Sequence, residues 1–276
     1  MLKPNTKDIL QTSLNALNNG DPTTASSLAL QVLRKQPENR DALMILGAAR
    51  LASLANPHDV FFSKLKSLGF SPQIAVDIGA YEGQWTKSLK RSFPETKVIM
   101  IEAQPAKAGV LEEVVEIFSN VTLVTRLVGD RTDESVTFHI METPYGSTGS
   151  SIYPEQTSFA RYAVNLPMET LDNILTNLKI VNPDLLKIDV QGAELDILHG
   201  ATNTLRSVEF IHMELSTLQY NAGAPLIANV LPKLDEIGFV LFDILEEHRA
   251  NNNILFQLDA LFINKDSLIR PKGILL

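Results

Sequence analysis

Residues Gln73–Glu102 read QIAVDIGAYEGQWTKSLKRSFPETKVIMIE. A short apolar run, Ile74-Ala75-Val76, stops at Asp77, and a glycine turn follows, Gly79-Ala80-Tyr81-Glu82-Gly83. A helical pattern begins near Gln84, where Trp85, Leu89 and Phe93 are spaced to share one buried face. A second apolar run, Val98-Ile99-Met100-Ile101, ends on Glu102. The stretch therefore predicts a strand, a glycine turn, a helix and a second strand with an acid at its tip. Such a unit places a nucleoside in the crevice beyond the strand ends, with the ribose hydroxyls on the acid. Glycine permits the close backbone approach because it has no Cβ and tolerates unusual φ.

The glycine spacing separates two ligand classes. A dinucleotide needs G-x-G-x-x-G, so that a pyrophosphate rests on the helix N-terminus. Counted from Gly79, the second and third glycine positions hold Tyr81 and Gln84, so the fingerprint fails. An acid-x-Gly-x-x-x-Gly turn suits a ligand without phosphates, with an adenosine and an amino-acid tail, such as S-adenosylmethionine. An ordinary tight turn is the plainer alternative.

Outward from this unit, VDIGAYEGQWT, IEAQP, the LVGD–RTDESVTFHI segment, ETLDNIL and LLKIDVQGAELDILHGA together resemble the FkbM-type methyltransferases. The similarity runs from about Gln73 to Glu214, and DVQGAE is its most specific block. It implies a class I methyltransferase fold, S-adenosylmethionine as cofactor, and methyl transfer usually to a hydroxyl oxygen. It also implies that the acid after the third strand, Asp130, accepts from the adenine amino group; an Asp in a turn is the alternative. Gln191 stands where the family commonly has Glu.

The 276 residues allow one full domain and a smaller appendage. A formal net charge of −8 without a basic run argues against nucleic acid or an acidic membrane surface as partner. With no cysteine there is neither a disulfide framework nor a thiolate metal site. MLKPNTKDIL lacks a signal-peptide core, and no apolar run approaches the ~18 residues of a membrane span. A soluble, cytoplasmic protein is expected.

Residues from about Thr6 to Ala55 read as three helices. Ile9, Leu10, Leu14 and Leu17 mark the first, and Ala25, Leu28, Ala29, Val32 and Leu33 the second. Ala42, Leu43, Ile45, Leu46, Ala49 and Leu51 mark the third. Asp21 is the expected N-cap of the second, with Pro22 in its first turn. SLALQVLRKQPENRDALMILGAA resembles a tetratricopeptide repeat, but only about one and a half repeats are present where a solenoid needs about three. This segment, 1–56, reads as a packing extension that caps or self-associates, or as a docking platform for a protein partner. Asn56-Pro57 is the expected junction to a methyltransferase-like domain, 57–276.

Within that domain the chain predicts a helix from Val60 to Leu68 closed by Gly69, strands at Val121–Val124 and Ser135–Met141, and a long loop from Glu142 to Leu166 that could lie over the acceptor. A strand at Leu185–Val190, a helix at Glu194–His199 and a strand at Val208–Leu215 follow. A helix at Pro225–Ile237 precedes two final strands, Phe239–Leu245 and Leu255–Ile263. That strand–loop–strand ending without a helix suits the antiparallel last strand of a class I methyltransferase sheet. The expected architecture is α/β, a Rossmann-like doubly wound sheet, mostly parallel, preceded by a small all-α segment.

Side chains two apart on a strand share a face, so Lys187 and Asp189 point one way, as do His212 and Glu214 on the neighbouring strand. A lysine in a strand buried on both faces needs a carboxylate partner, Asp189 or Glu214. The candidate catalytic residues are Lys187, Asp189, His212 and Glu214, holding an acceptor hydroxyl in line with a methyl donor and receiving its proton. A purely structural ion network is the alternative. The candidate cofactor residues are Asp77, Gly79, Ala80, Tyr81, Glu82, Gly83, Glu102 and Asp130. Glu194 caps its helix or reaches the pocket. No metal-ligand spacing is present, and a Mg²⁺ at Asp189 and Glu214 has no sequence support. Three functions remain: an S-adenosylmethionine-dependent O-methyltransferase acting on a small-molecule or glycan hydroxyl, a nucleotide-dependent oxidoreductase, and a scaffold protein with a degenerate methyltransferase domain.

Overall fold

Apolar runs of four to six residues, each closed by a turn, become the strands of one twisted sheet. The computed structural model describes residues 6–18, 22–52, 57–143 and 146–270. The expected cap Asp21, the junction residue Asn56 and the loop residue Pro144 lie outside them. The described strands are β1 (Ile74–Ile78), β2 (Lys97–Glu102), β3 (Val121–Thr125), β4 (Leu127–Val128), β5 (Asp133–Glu142), β6 (Ala160–Glu169), β7 (Leu185–Ile188), β8 (Phe210–Ser216), β9 (Phe239–Arg249) and β10 (Leu255–Asn264). The helices are α1 (Thr6–Asn18), α2 (Pro22–Leu33), α3 (Arg40–Ala52), α4 (Pro57–Ser67), α5 (Gln84–Ser92), α6 (Ala108–Ile117), α7 (Leu171–Asn177), α8 (Glu194–His199) and α9 (Ile227–Glu236).

Seven strands form the main sheet in the order β3-β2-β1-β7-β8-β10-β9. β3, β2, β1, β7 and β8 run parallel, and β10 pairs antiparallel with β8 and with β9. The order reverses between β1 and β7, which opens a crevice at the carboxyl ends of these strands. This is the class I methyltransferase arrangement, with the last strand in the chain inserted antiparallel.

Both faces of the sheet are covered, because the parallel strands are apolar on both sides. Val76, Ile99, Leu186, Ile188, Ile211 and Met213 face α7, α8 and α9. Ala75, Val98, Met100, Leu185 and Phe210 face Phe61, Phe62, Trp85, Leu89, Leu111 and Val114. Each fully buried side chain of this size contributes on the order of 1.5–3 kcal/mol. α4 ends as the glycine predicts: Gly69 takes φ +80° and the Phe70 N–H bonds the Leu65 carbonyl at 3.1 Å.

The chain divides into two compact units, Met1–Val60 and Phe61–Leu276, so the boundary falls inside α4 rather than at Asn56-Pro57. In the first unit, α1, α2 and α3 pack through small residues; Ala25, Ala29, Ala42 and Ala49 are fully buried. Leu14 and Leu43, placed on the packed faces from the sequence, are exposed.

The stretch from Glu142 to Leu166 is not all loop. β6 occupies its last part, from Ala160, and pairs antiparallel with β5 and parallel with β4, a separate three-stranded sheet. Pro167 hides the strand in the sequence, since proline cannot donate to a ladder. It sits at the register shift between the Val136–Leu166 and Asp133–Met168 pairs, where no ladder bond is required of it.

Candidate active site

The glycine turn after β1 is held by backbone on two sides. The N–H groups of Gly79 and Ala80 both bond the Ile101 carbonyl, at 2.9 and 3.1 Å. Gly79 takes φ +77°, and a Cβ there would lie 1.9 Å from the Asp189 carbonyl oxygen. The bare backbone at position 79 is thus required by the turn after β7, not by a ligand alone. Tyr81 also takes a positive φ, 49°, and its N–H donates to Glu102 Oε2 at 2.8 Å. The other Glu102 oxygen accepts from the Gln104 N–H at 2.8 Å. Burial raises the Glu102 pKa, and these two backbone donors oppose the rise.

Beneath the turn, Lys187 binds Asp77 at 3.2 Å, the Gly79 carbonyl at 3.1 Å and Asp189 Oδ2 at 3.2 Å. Burial works against its charge, yet Asp77 and Asp189 more than offset that, so its pKa is raised. Asp77 also accepts from the Thr86 hydroxyl of α5 at 2.7 Å. These bonds lash β1, β7 and α5 together and aim Asp189 upward.

Glu214, at the tip of β8, has its pKa raised well above the usual carboxylate value by burial and then by the charges of Asp189, Asp259 and Glu194. The Gln191 amide donates to it, while the Gln191 oxygen accepts from the Tyr220 hydroxyl at 2.7 Å. Gln191 itself takes φ +58° in the turn after β7. Glu194 is buried, accepts from the Gly192 N–H at 2.8 Å, and burial pushes its pKa up to about 7.

These groups border a crevice of about 240 Å³, roofed by Ser147–Ser150. Of the expected catalytic residues, Asp189 and Glu214 line it. Lys187 lies below as their anchor. His212 does not line the crevice: it is 2% exposed and sits among Phe61 and Trp85. Its Nδ1 accepts from the Trp85 indole N–H at 3.0 Å, which leaves Nε2 to donate to Asp259 at 3.0 Å. Both its ring nitrogens are engaged in these bonds. It lies two residues short of the strand tip, one level too deep.

Of the expected cofactor residues, Gly79, Tyr81 and Glu102 line the crevice. Asp77 is fully buried beneath Lys187, Ala80 is buried, Glu82 pairs with Lys107 at 2.8 Å, and Gly83 opens α5. Asp130 is exposed and pairs with Arg131 at 3.0 Å. The main-sheet strand β3 ends at Thr125, so Arg126, Leu127 and Val128 reach the crevice and β4 carries Asp130 past it. No motif in the sequence marked Arg126. The donor set suited to a cation among the described residues is Glu214, His248 and Asp259. There His248 Nε2 bonds Asp259 at 2.9 Å, and that bond raises the His248 pKa.

Apolar walls from Ile78, Ile101, Leu127, Val128 and Phe138 can take a flat heterocycle, and Glu102 and Asp189 can take hydroxyls or an ammonium. Three carboxylates against the single guanidinium of Arg126 make the crevice a poor place for a pyrophosphate.

Comparison with known proteins follows this geometry. Residues 77–241, more than half of the chain, match the family described as the methyltransferase FkbM domain. The 2-O-methyltransferase NoeI of Sinorhizobium fredii is 25% identical over 179 residues, 60% of this chain and 73% of that protein. Methyltransferase 1 of Beauveria bassiana is 27% identical over 166 residues, 51% of this chain and 64% of that protein, under two thirds of its length. The hexuronic acid methyltransferase AglP of Haloferax volcanii is 39% identical over 44 residues, 16% of this chain and 18% of that protein. No helix among the described residues is long and apolar enough to cross a membrane. The chain belongs to the FkbM methyltransferase family.

Proposed function

We propose that the protein transfers a methyl group from S-adenosylmethionine to a hydroxyl oxygen of a sugar or secondary metabolite. The observation that carries this is the pair Asp189 and Glu214 on adjacent strands, on the rim of a crevice with apolar walls and a single cation in its lining. Two relatives are named for 2-O-methylation and for hexuronic acid methylation, which supports an oxygen of a sugar as the acceptor.

Bound S-adenosylmethionine would supply an electrophilic methyl carbon on sulfur. The chain's task is alignment and proton removal. Glu102 would hold the ribose hydroxyls, with the apolar walls around the purine. Asp189, paired to Lys187, would receive the proton as the acceptor oxygen forms its bond to the methyl and the carbon–sulfur bond breaks. Glu214, whose pKa burial and its acidic neighbours raise well above the ordinary carboxylate value, would lie beside Asp189 and help orient the acceptor. Gln191 suits this arrangement: its amide donates to Glu214, where a carboxylate would add another negative charge to the acids already gathered there. We further propose that the first unit is a packing or self-association element.

Calorimetry with S-adenosylhomocysteine, S-adenosylmethionine and NAD, followed by mass spectrometry of extracts incubated with labelled S-adenosylmethionine, tests the reading. Binding of the first two and a +methyl product are expected, and Asp189→Asn should lower turnover at least ~100-fold. Binding of NAD alone, or of none of the three, would refute it.

A further inference from the structure

Beside the crevice lies a second hollow of about 480 Å³, a size common for small-molecule sites, which span roughly 300–1,000 Å³. The two share Thr148, Gly149, Gln191 and Glu214, so a molecule in the second hollow meets Glu214 and adjoins the crevice that Asp189 lines. One wall is aromatic: Phe159, Tyr220 and Phe256, the last two in edge contact with ring centroids 6.3 Å apart. Thr157 and Gln257 add hydrogen-bonding groups to the rim.

The decisive side chain is Glu155. It is 9% exposed and lines this hollow, yet its carboxylate has no hydrogen bond or ion pair among the described residues. Its position is built rather than incidental. Glu155 bridges antiparallel to Asn221, the Gln156 N–H bonds the Tyr220 carbonyl at 2.6 Å, and the Ala222 N–H bonds the Pro154 carbonyl at 2.9 Å. Gly149, with φ +85°, leaves room for the carboxylate; a Cβ there would lie 2.7 Å from Glu155 Oε2. Its carboxylate oxygens stay open to the hollow, where they can accept from the hydroxyls of a ligand. Among the described residues, no Lys, Arg or His lines the hollow, and its two charged-type side chains, Glu155 and Glu214, are both acids.

We propose that this hollow is the acceptor subsite, that it takes an uncharged pyranose, and that Glu155 receives two neighbouring ring hydroxyls. This rests on the methyltransferase reading above and narrows it. A pyranose presents a C–H face to the aromatic wall and hydroxyls to Glu155, Thr157 and Gln257. A uronic acid brings a carboxylate to two acids with no cation to receive it, so it is rejected.

The test is saturation-transfer NMR on the full chain with methyl glycosides of glucose, galactose and mannose, and of glucuronic and galacturonic acid. It is run with and without S-adenosylhomocysteine, whose own binding is measured by calorimetry. At least one neutral glycoside should bind, with ring C–H protons most strongly saturated, and the uronates at least ~10-fold more weakly. Glu155→Gln should weaken the neutral glycoside by about tenfold or more, the usual effect of losing hydrogen bonds to a charged group, and leave S-adenosylhomocysteine affinity unchanged. Equal or tighter uronate binding, an unaffected Glu155→Gln variant, or no neutral glycoside binding overturns the proposal. Failure of S-adenosylhomocysteine to bind overturns the crevice reading instead, and the glycoside measurement without it still decides the hollow.

Discussion

Glu194→Gln should abolish a specific pH dependence of stability. Glu194 is 4% exposed, its pKa is about 7 against an ordinary 4.5, and its leading cause is burial. Because the folded value is the higher, the native state binds more protons than the unfolded state between these values, so stability falls as pH rises through the window. The full penalty is the shift of about 2.5 units at 1.36 kcal/mol each, ~3 kcal/mol above about pH 7. Integrated from about pH 5.5 to about pH 8.5, this one group costs ~2 kcal/mol. The glutamine keeps an oxygen for the Gly192 N–H and carries no charge, so the variant loses this slope. It also relieves Glu214 of one neighbouring charge, an effect of the same sign. Trp85 is the single tryptophan and is buried in the second unit, so its fluorescence in urea titrations reports that unit alone. The difference in unfolding free energy between variant and wild type should grow by ~2 kcal/mol across the range. Parallel curves would show that Glu194 is already ionised in the native protein at about pH 5.5, and the burial argument would fail.

Three more predictions follow from the same geometry. Gly79→Ala should lower the melting temperature of the second unit, because the added Cβ meets the Asp189 carbonyl and φ +77° disfavours an L side chain; a folded variant of wild-type melting temperature would contradict the packing described. Lys187→Met should cost about 3–5 kcal/mol by Trp85-monitored urea unfolding, since Asp77 and Asp189 are left buried or crowded without their cation. A loss under about 1 kcal/mol would mean that the cluster is solvated. Gln191→Glu should place a second carboxylate against Glu214, so that methyl transfer loses activity toward high pH more steeply than wild type; superimposable pH–rate profiles would count against the Glu214 contact.

The local signals read true where the determinant is local. β1, the turn at Gly79, α5 and β2 follow from an apolar run, a positive-φ glycine and a 3.6-residue repeat, all within thirty residues of chain. The final strand pair and the antiparallel insertion of β10 are likewise legible, because two strand patterns without an intervening helix leave few topologies. That Asp189 and Glu214 both line the crevice is legible because alternation along a strand sets which face a residue takes. Alternation says nothing of depth. His212 shares that face yet lies below the crevice, sealed by Trp85 from α5 and Asp259 from β10. Asp130 lies past the crevice lining because the end of β3 is set by its pairing with β2, not by the chain after it.

What the sequence determines by itself is the succession of most strands and helices along the chain and the identity of the acids near the sheet edge, since both come from short-range pattern. What only the tertiary structure decides is which of those acids meet a ligand. Glu155 is an ordinary glutamate in a loop until its bridge to Asn221, sixty-six residues on, sets it in the wall of the second hollow. Burial and neighbouring charge are properties of contacts between distant parts of the chain, and they give a carboxylate its chemistry.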